Sequence, residues 1–371
     1  MTNYYRFLDG IRGLSILWVL LHHIPMELPQ WLEVIRKRGD LGVELFFAIS
    51  GILVTKSLLS TFSKEGSLKS KAKEYFVKRA SRIFPPFYAT LFTLGFLSFF
   101  VKSLGTKLSE ISSILFSFPT YTYNYVRFFV DEKIPGAFGI FWSLCFEEQF
   151  YLLLLLIFII CKKNVKTAMI ALCFSSIVLR LYGAFGNDPE YYAKLQYYTH
   201  LRLDAILLGS LYILSKSSVD KLAKKYIHLF GVIVFFLSIL SIGLHRYESH
   251  LERALNYFLV SLSFTSLIIY LFNIEKSWLK KLFEMKALAS IGVVSYEIYL
   301  IHQIVNGVMA RFAHQIHYSL YISLLFLLSF LAAYFFHRFF STPMNLFLRK
   351  SFLNAHFDLV KGTNVMNEVV K

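Results

Sequence analysis

The chain has 371 residues, 56% of them apolar and only 17% charged, where an ordinary soluble domain carries about 25% charged residues. That composition, with a mean hydropathy of +0.54, excludes a soluble globular enzyme. The formal charge of +16 does not imply nucleic acid, because the lysines and arginines lie in short links between apolar runs and not on one basic face; charge spread in this way reports membrane orientation.

The expected fold is all-α and polytopic, with about ten transmembrane helices, each long enough to cross a hydrocarbon layer of about 30 Å. The apolar runs fall at residues 8–26, 41–60, 84–102, 140–160, 164–183, 200–215, 226–244, 253–273, 287–310 and 318–340. The first run holds Arg12, His22 and His23 and has no small-residue cleavage site, so it reads as a retained helix and not as a signal peptide. Residues 111–130 are apolar but carry Pro119, Asn124 and several tyrosines, and are assigned to an external loop. With that assignment most Lys and Arg, including those from Lys64 to Arg82 and from Lys216 to Lys225, fall on one side, which places both termini in the cytoplasm. The group Arg36 to Arg38 lies on the other side, either functional or paired with Glu33 and Asp40. Residues 1–343 form the transmembrane domain and 344–371 a short polar cytoplasmic tail. Cys145, Cys161 and Cys173 show neither disulfide nor zinc spacing, so no metal is expected.

Charged groups at a helix centre cost about 2.5 to 3.5 kcal/mol on insertion scales, so those that persist face a cavity or a partner. The first span offers Asp9, Arg12 and His23. Eleven residues separate Arg12 from His23, which puts both on one helix face about 16 Å apart; a snorkelling arginine and a headgroup-level histidine would give the same spacing. The second span carries Glu44 and Ser50 in GVELFFAISGIL. Next, GSLKSKAKEYFVKRASRIFPPFY is basic and enters its span at Pro85 and Pro86, residues tolerated in a helix's first turn. There Arg79 and Arg82 form an i, i+3 fork able to grip a phosphate ester.

The fourth span opens FWSLCFEEQFYLL, placing Glu147, Glu148 and Gln149 at its external end, with Tyr151 following. Adjacent carboxylates point 100° apart on a helix, so at most one of the two can point squarely at a shared cavity. In the sixth span His200 and Asp204 stand at i, i+4, with Arg202 on another face. The ninth carries Ser295, Tyr299, His302 and Asn306 as one polar stripe, from which Glu297 departs. Tyrosine-rich outer loops, with Tyr125, Tyr197 and Tyr198, suit either sugar stacking or interfacial anchoring.

In combination and order, FLDGIRGLSILWVLLHH, GVELFFAISGIL, FVKRASRIFPPFY, FWSLCFEEQFYLL, LRLDAILLG and IGVVSYEIYLIHQ resemble the acyltransferase-3 family of integral membrane acyltransferases, of the O-acetyltransferase type without a soluble esterase-like domain. Two departures are Glu44, where the family often has aspartate, and Cys145, where it often has serine. The resemblance implies a catalytic role for Arg12 and His23, with His23 as general base and Glu147 or Glu148 orienting it. It also implies binding of acyl-CoA, most often acetyl-CoA, as co-substrate at Arg79 and Arg82. The implied acceptor is a hydroxyl of a carbohydrate or lipid-linked glycan of the cell envelope, and the implied location is the inner membrane of a bacterium. Asp9, Glu44, Tyr151, Arg202, Asp204, Ser295 and His302 are expected to serve substrate or to hold the polar interior. An acyl-enzyme on His23 or Cys145 is a second route. A proton-coupled transporter is the rival class, although no pseudo-symmetric halves are visible.

Overall fold

The computed structural model describes residues 4–98, 115–128, 136–186, 191–243 and 250–353. Every regular element among them is helical. The main helices are α1 (Arg6–His22), α2 (Asp40–Phe62), α3 (Leu68–Ser98), α4 (Phe141–Cys161), α5 (Val165–Ala184), α6 (Asp204–Leu214), α7 (Lys216–Lys225), α8 (Ile227–Gly243), α9 (His250–Asn273), α10 (Lys286–Val293), α11 (Ser295–Met309), α12 (Tyr318–Phe336) and α13 (Thr342–Leu353). Large apolar side chains such as Phe92, Ile160, Phe174, Phe235 and Phe339 stand exposed, as expected where lipid replaces water.

Among the described residues, four helical stretches are long and apolar enough to cross a membrane: Gln30–Phe62, Ala137–Ala184, His250–Asn273 and Tyr318–Leu353. Two bent pairs raise this to six, α7 with α8 at 100° and Lys286–Val293 with Ser295–Phe312 at 75°. The stretch Ala137–Ala184 doubles back at Lys162, which takes φ 45°. Without that reversal Gln149 and Arg180 would be about 46 Å apart, yet both bind residues between Thr199 and Asp204. At 11 residues α6 is only about 16 Å long, shorter than the span expected at 200–215.

The basic segment ahead of Pro85 is itself helical and continuous with the apolar part, so α3 runs through both prolines. They lie in its interior and not in its first turn, leaving the carbonyls four residues earlier without their usual donors. Residues 115–128 form a 3₁₀ turn and the short helix Tyr123–Val126 and not a crossing; residues 111–114, 129 and 130 lie outside the described residues. Helix α13, Thr342–Leu353, overlaps the start of the tail expected at 344–371 and docks on α3 through a Ser81 Oγ to Asn345 Oδ1 bond of 2.9 Å. Residues 354–371 lie outside the described residues.

Small residues bring the helices that matter close together. A Cβ added at Gly292 would collide with the carbonyl of Asp9, and one at Gly13 with that of Leu288, so α1 and α10 touch backbone to backbone. Gly51 and Gly209 do the same for α2 and α6, against Ile206 and Ala48. Such contacts are the means by which membrane helices associate without a hydrophobic driving force between them. Gly42 against the carbonyl of Ser15 brings α2 to α1 in the same way, and α1 also contacts α11.

Candidate active site

Between α1, α2, α3, α4 and α11 lies a cavity of about 310 Å³. Arg12, Arg79, Arg82, Ser50, Glu147, Tyr151, Ser143, Ser295, Tyr296 and Tyr299 supply its polar lining, and Val43, Phe47, Leu53 and Leu144 are among its apolar walls. Three guanidinium groups from two helices thus meet in one space. Arg12 has Asp9 as its carboxylate, at 3.5 Å.

Glu147 faces the cavity, and Glu148 does not line it. Ser50 Oγ donates to Glu147 Oε1 at 2.6 Å, and the Tyr151 hydroxyl donates to Ser50 Oγ at 3.4 Å. This chain of hydroxyls ends on the carboxylate and fixes it at the level of the arginines. Glu148 turns away, and its Oε1 is buried without a hydrogen-bond partner. Gln149 points a third way, donating to Tyr121 O at 2.6 Å and Asn124 Oδ1 at 2.9 Å, which pins residues 115–128 to α4. Successive 100° steps along one helix explain the three directions.

His23 sits just past the last turn of α1 and does not line the cavity. The carboxylate expected beside it is absent among its bonds: Glu147 lies about two turns inside α4, near the arginines, and His23 has His302 instead. His302 Nδ1 is 2.7 Å from Tyr299 O and 3.2 Å from Ile298 O. A carbonyl only accepts, so this nitrogen carries the proton and His302 Nε2 is an acceptor. That Nε2 lies 3.3 Å from His23 Nδ1, which also bonds Val19 O at 2.9 Å. Both contacts require the His23 proton on Nδ1 and leave the lone pair on Nε2, the tautomer a general base needs. Asn306 Nδ2 donates to His23 O at 2.7 Å, and the Tyr321 hydroxyl donates to Asn306 Oδ1 at 2.7 Å.

The polar stripe of α11 therefore serves two places. Ser295 and Tyr299 reach the cavity, and His302 and Asn306 hold His23. Between them the Ser143 and Tyr299 hydroxyls share a bond of 2.6 Å. Glu297, off the stripe, bonds His337 Nδ1 at 2.9 Å.

The other charged candidates form buried pairs away from the cavity. Glu44 pairs with Arg202, whose guanidinium lies over the Tyr257 ring at 4.3 Å. Asp204 and His200 are not helical neighbours, because Thr199–Leu201 is a 3₁₀ turn and α6 begins only at Asp204. His200 Nδ1 instead meets the Tyr125 hydroxyl at 3.0 Å, and Asp204 receives two bonds of 2.8 Å from Arg180. Arg180 was not singled out by the sequence reading, although an arginine inside an apolar run facing an aspartate in the next was the available signal. Asp204→Ala leaves that guanidinium buried without its counter-charge, at a cost of about 3–5 kcal/mol. A large drop in the thermal unfolding temperature in detergent is expected, partly restored by Arg180→Leu in the same chain. Arg36 Nε bonds Glu33 at 2.7 Å, the pairing expected for one member of the cluster that runs against the charge rule.

Cys145 is buried and does not line the cavity. Ser50, noted from the sequence with Glu44, lines it, as do Ser143 and Tyr296, which were not singled out; a tyrosine next to the polar stripe was the available signal. No group of three His, Cys, Asp or Glu among the described residues is placed to hold a metal ion.

A family model described as an acyltransferase domain matches residues 5–338. A Staphylococcus aureus protein provisionally named an O-acetyltransferase is 28% identical over 309 residues, covering 80% of this chain and 49% of the relative. The peptidoglycan O-acetyltransferase OatA of Listeria monocytogenes is 27% identical over 318 residues, with 81% and 49% covered. YrhL of Bacillus subtilis, provisionally named a peptidoglycan O-acetyltransferase, is 26% identical over 324 residues, with the same coverage. The chain thus spans about half the length of the curated relatives it matches. No solved structure matches it. Ordered motifs, a helical bundle around a cation-lined cavity and a family match over most of the chain agree: it belongs to the acyltransferase-3 family.

Proposed function

We propose that this protein is a membrane O-acyltransferase that moves an acyl group, acetyl in the first instance, from cytoplasmic acyl-CoA to a hydroxyl of a cell-envelope glycan. The observation that carries the reading is the cavity in which Arg12, Arg79 and Arg82 converge, below a histidine on the same helix whose tautomer leaves Nε2 as a base. The reading keeps a ten-pass topology with both termini in the cytoplasm of a bacterium, supported by the lysine and arginine distribution. Relatives named for peptidoglycan O-acetylation support an acceptor of that chemistry, reaching the protein as polymer or as a lipid-linked precursor.

In this scheme Arg79 and Arg82 grip the donor's phosphates bidentately, and the pantetheine arm extends past Arg12 between apolar walls. The rise of about 16 Å from Arg12 to His23 suits two ends of one extended arm better than one reaction centre, so Arg12 acts on the arm and His23 on the acceptor. His23 Nε2 takes the proton of the acceptor hydroxyl as its oxygen bonds to the thioester carbonyl carbon. The carbon–sulfur bond then breaks, and the imidazolium returns the proton to the departing thiolate. His302 holds the imidazole in its reactive tautomer, and Glu147 sets the arrangement of the arginines.

The test is purified wild-type protein in detergent with acetyl-CoA labelled in the acetyl group and soluble peptidoglycan fragments. Label is expected on a glycan hydroxyl with stoichiometric release of CoA. Absence of both binding and turnover of any acyl-CoA overturns the donor assignment and favours the transporter reading.

A further inference from the structure

A second cavity, of about 380 Å³, lies where α1 begins and α9 ends. Its walls are aromatic: Tyr5 meets Phe272 edge to face at 4.9 Å between ring centroids, and Phe7 meets the same ring at 5.0 Å. Arg6 and Lys280 supply its cations and Glu284 the one carboxylate in the lining, so the lining carries net positive charge. Two further ammonium groups stand over these rings. Lys56 Nζ is 4.5 Å from the Tyr5 centroid, and Lys216 Nζ is 4.6 Å from that of Phe272, although Asp220 already meets the Lys216 charge.

The two lining cations are held from different elements. Lys280 belongs to the short helix Trp278–Phe283; its Nζ donates to Ile274 O at 2.8 Å and lies 5.7 Å from the Phe7 ring centroid. Arg6 opens α1, where the Tyr4 hydroxyl bonds both Arg6 and Asp9. A Cβ added at Gly10 would collide with the carbonyl of Phe283, so the short helix touches α1 backbone to backbone and the two cations keep a fixed relation. The cleft also has a definite depth. Helix α9 is long and apolar enough to cross a membrane and ends at Asn273, so Phe272, in its last turn, stands where the hydrocarbon core gives way to headgroups. Just beyond, Trp278 is 77% exposed and Leu282 and Met285 are exposed too, alongside exposed Lys281 and Lys286. An exposed tryptophan with apolar and basic neighbours belongs at that level of a bilayer.

We propose that this cleft binds the headgroup of an anionic phospholipid, whose phosphate is held by Arg6 and Lys280. Basic side chains at a membrane surface attract anionic headgroups, and a guanidinium can grip a phosphate through two parallel bonds. The walls formed by Tyr5, Phe7 and Phe272 suit the glycerol and the first methylenes of the chains. A soluble phosphate gains nothing from those walls, whereas a lipid headgroup meets cation and apolar surface together. The cleft shares no lining residue with the arginine-lined cavity, so the proposal stands apart from the acyl-CoA reading.

The experiment places the full chain in phosphatidylcholine micelles, titrates in phosphatidylglycerol and counts bound lipid by native mass spectrometry. Wild type is expected to retain one phosphatidylglycerol roughly tenfold or more tightly than phosphatidylcholine, the scale of two basic groups at a charged surface. Arg6→Gln with Lys280→Gln is expected to lose that preference. Lys281→Gln with Lys286→Gln, which removes as much charge outside the cleft, is expected to keep it. Phosphatidylglycerol is also expected to raise the thermal unfolding temperature of wild type and of the control pair, and not of the cleft pair. If the cleft pair fails to fold, Arg6→Gln and Lys280→Gln singly carry the test, each weakening the preference several-fold. A wild type without preference or a cleft variant that keeps it overturns the proposal. So does a control pair that loses as much, which would assign the effect to overall surface charge. Displacement of the lipid by glycerol 3-phosphate or by acetyl-CoA at matching concentration overturns it too, and makes the cleft a site for a soluble phosphate ester.

Discussion

His23→Ala is expected to bind acetyl-CoA as wild type does and to lose turnover by a factor of about 10² to 10⁴, the range that general-base catalysis supplies. The separation follows from geometry. His23 lies past the end of α1 and outside the arginine-lined cavity, so its removal does not touch the groups proposed to hold the donor. Stopped turnover assays alongside equilibrium binding check both halves. His302→Ala is expected to give a smaller loss, because the Val19 carbonyl still holds the proton on His23 Nδ1. Wild-type turnover in His23→Ala would remove the base from the mechanism and direct attention to the hydroxyls of Ser143 and Tyr299.

The second large effect is expected inside the cavity. Arg79→Ala with Arg82→Ala removes two guanidinium groups, and charge-assisted bonds contribute about 1.5 to 3 kcal/mol each. Affinity for acetyl-CoA is expected to fall roughly 100-fold or more, read by isothermal titration or by competition with labelled donor. Acetyl-pantetheine, which lacks the phosphates, is expected to react equally well with both proteins at high concentration. A double variant that loses acetyl-CoA and acetyl-pantetheine alike would show that the arginines hold the cavity's shape and not a phosphate.

The helical bundle and much of its polar interior were legible in the sequence because both depend on local periodicity. Arg12 and His23 share a face at any straight helix's geometry, and the stripe from Ser295 to Asn306 survives because its helix begins at Ser295. Arg79 and Arg82 needed only an i, i+3 relation. What escaped is set by how helices cross. Whether Glu147 lies level with His23 or with Arg12 depends on how deep in α4 it sits beside α1, and the close approach of α1 to α10 at Gly13 and Gly292 involves residues far apart in the chain. The supposed His200 and Asp204 pair failed for a local reason: a 3₁₀ turn where a helix was assumed. The partners found, His302 for His23 and Arg180 for Asp204, are each separated from their mates by too much chain for periodicity to relate them.

If Arg12, Arg79 and Arg82 hold acyl-CoA in their cavity as proposed, the arrangement has a consequence for how the protein is governed. Arginines that recognise phosphates read a part of the donor that the reaction leaves untouched. Spent CoA carries the same phosphates as its acetylated form, so a grip of this kind holds product and substrate with similar strength and leaves only the acyl end to tell them apart. On that reading the rate would answer to the ratio of acetylated to free coenzyme more than to the amount of either. Modification of the glycan outside the membrane would in this way follow the metabolic state of the cell within it, with no regulatory subunit required.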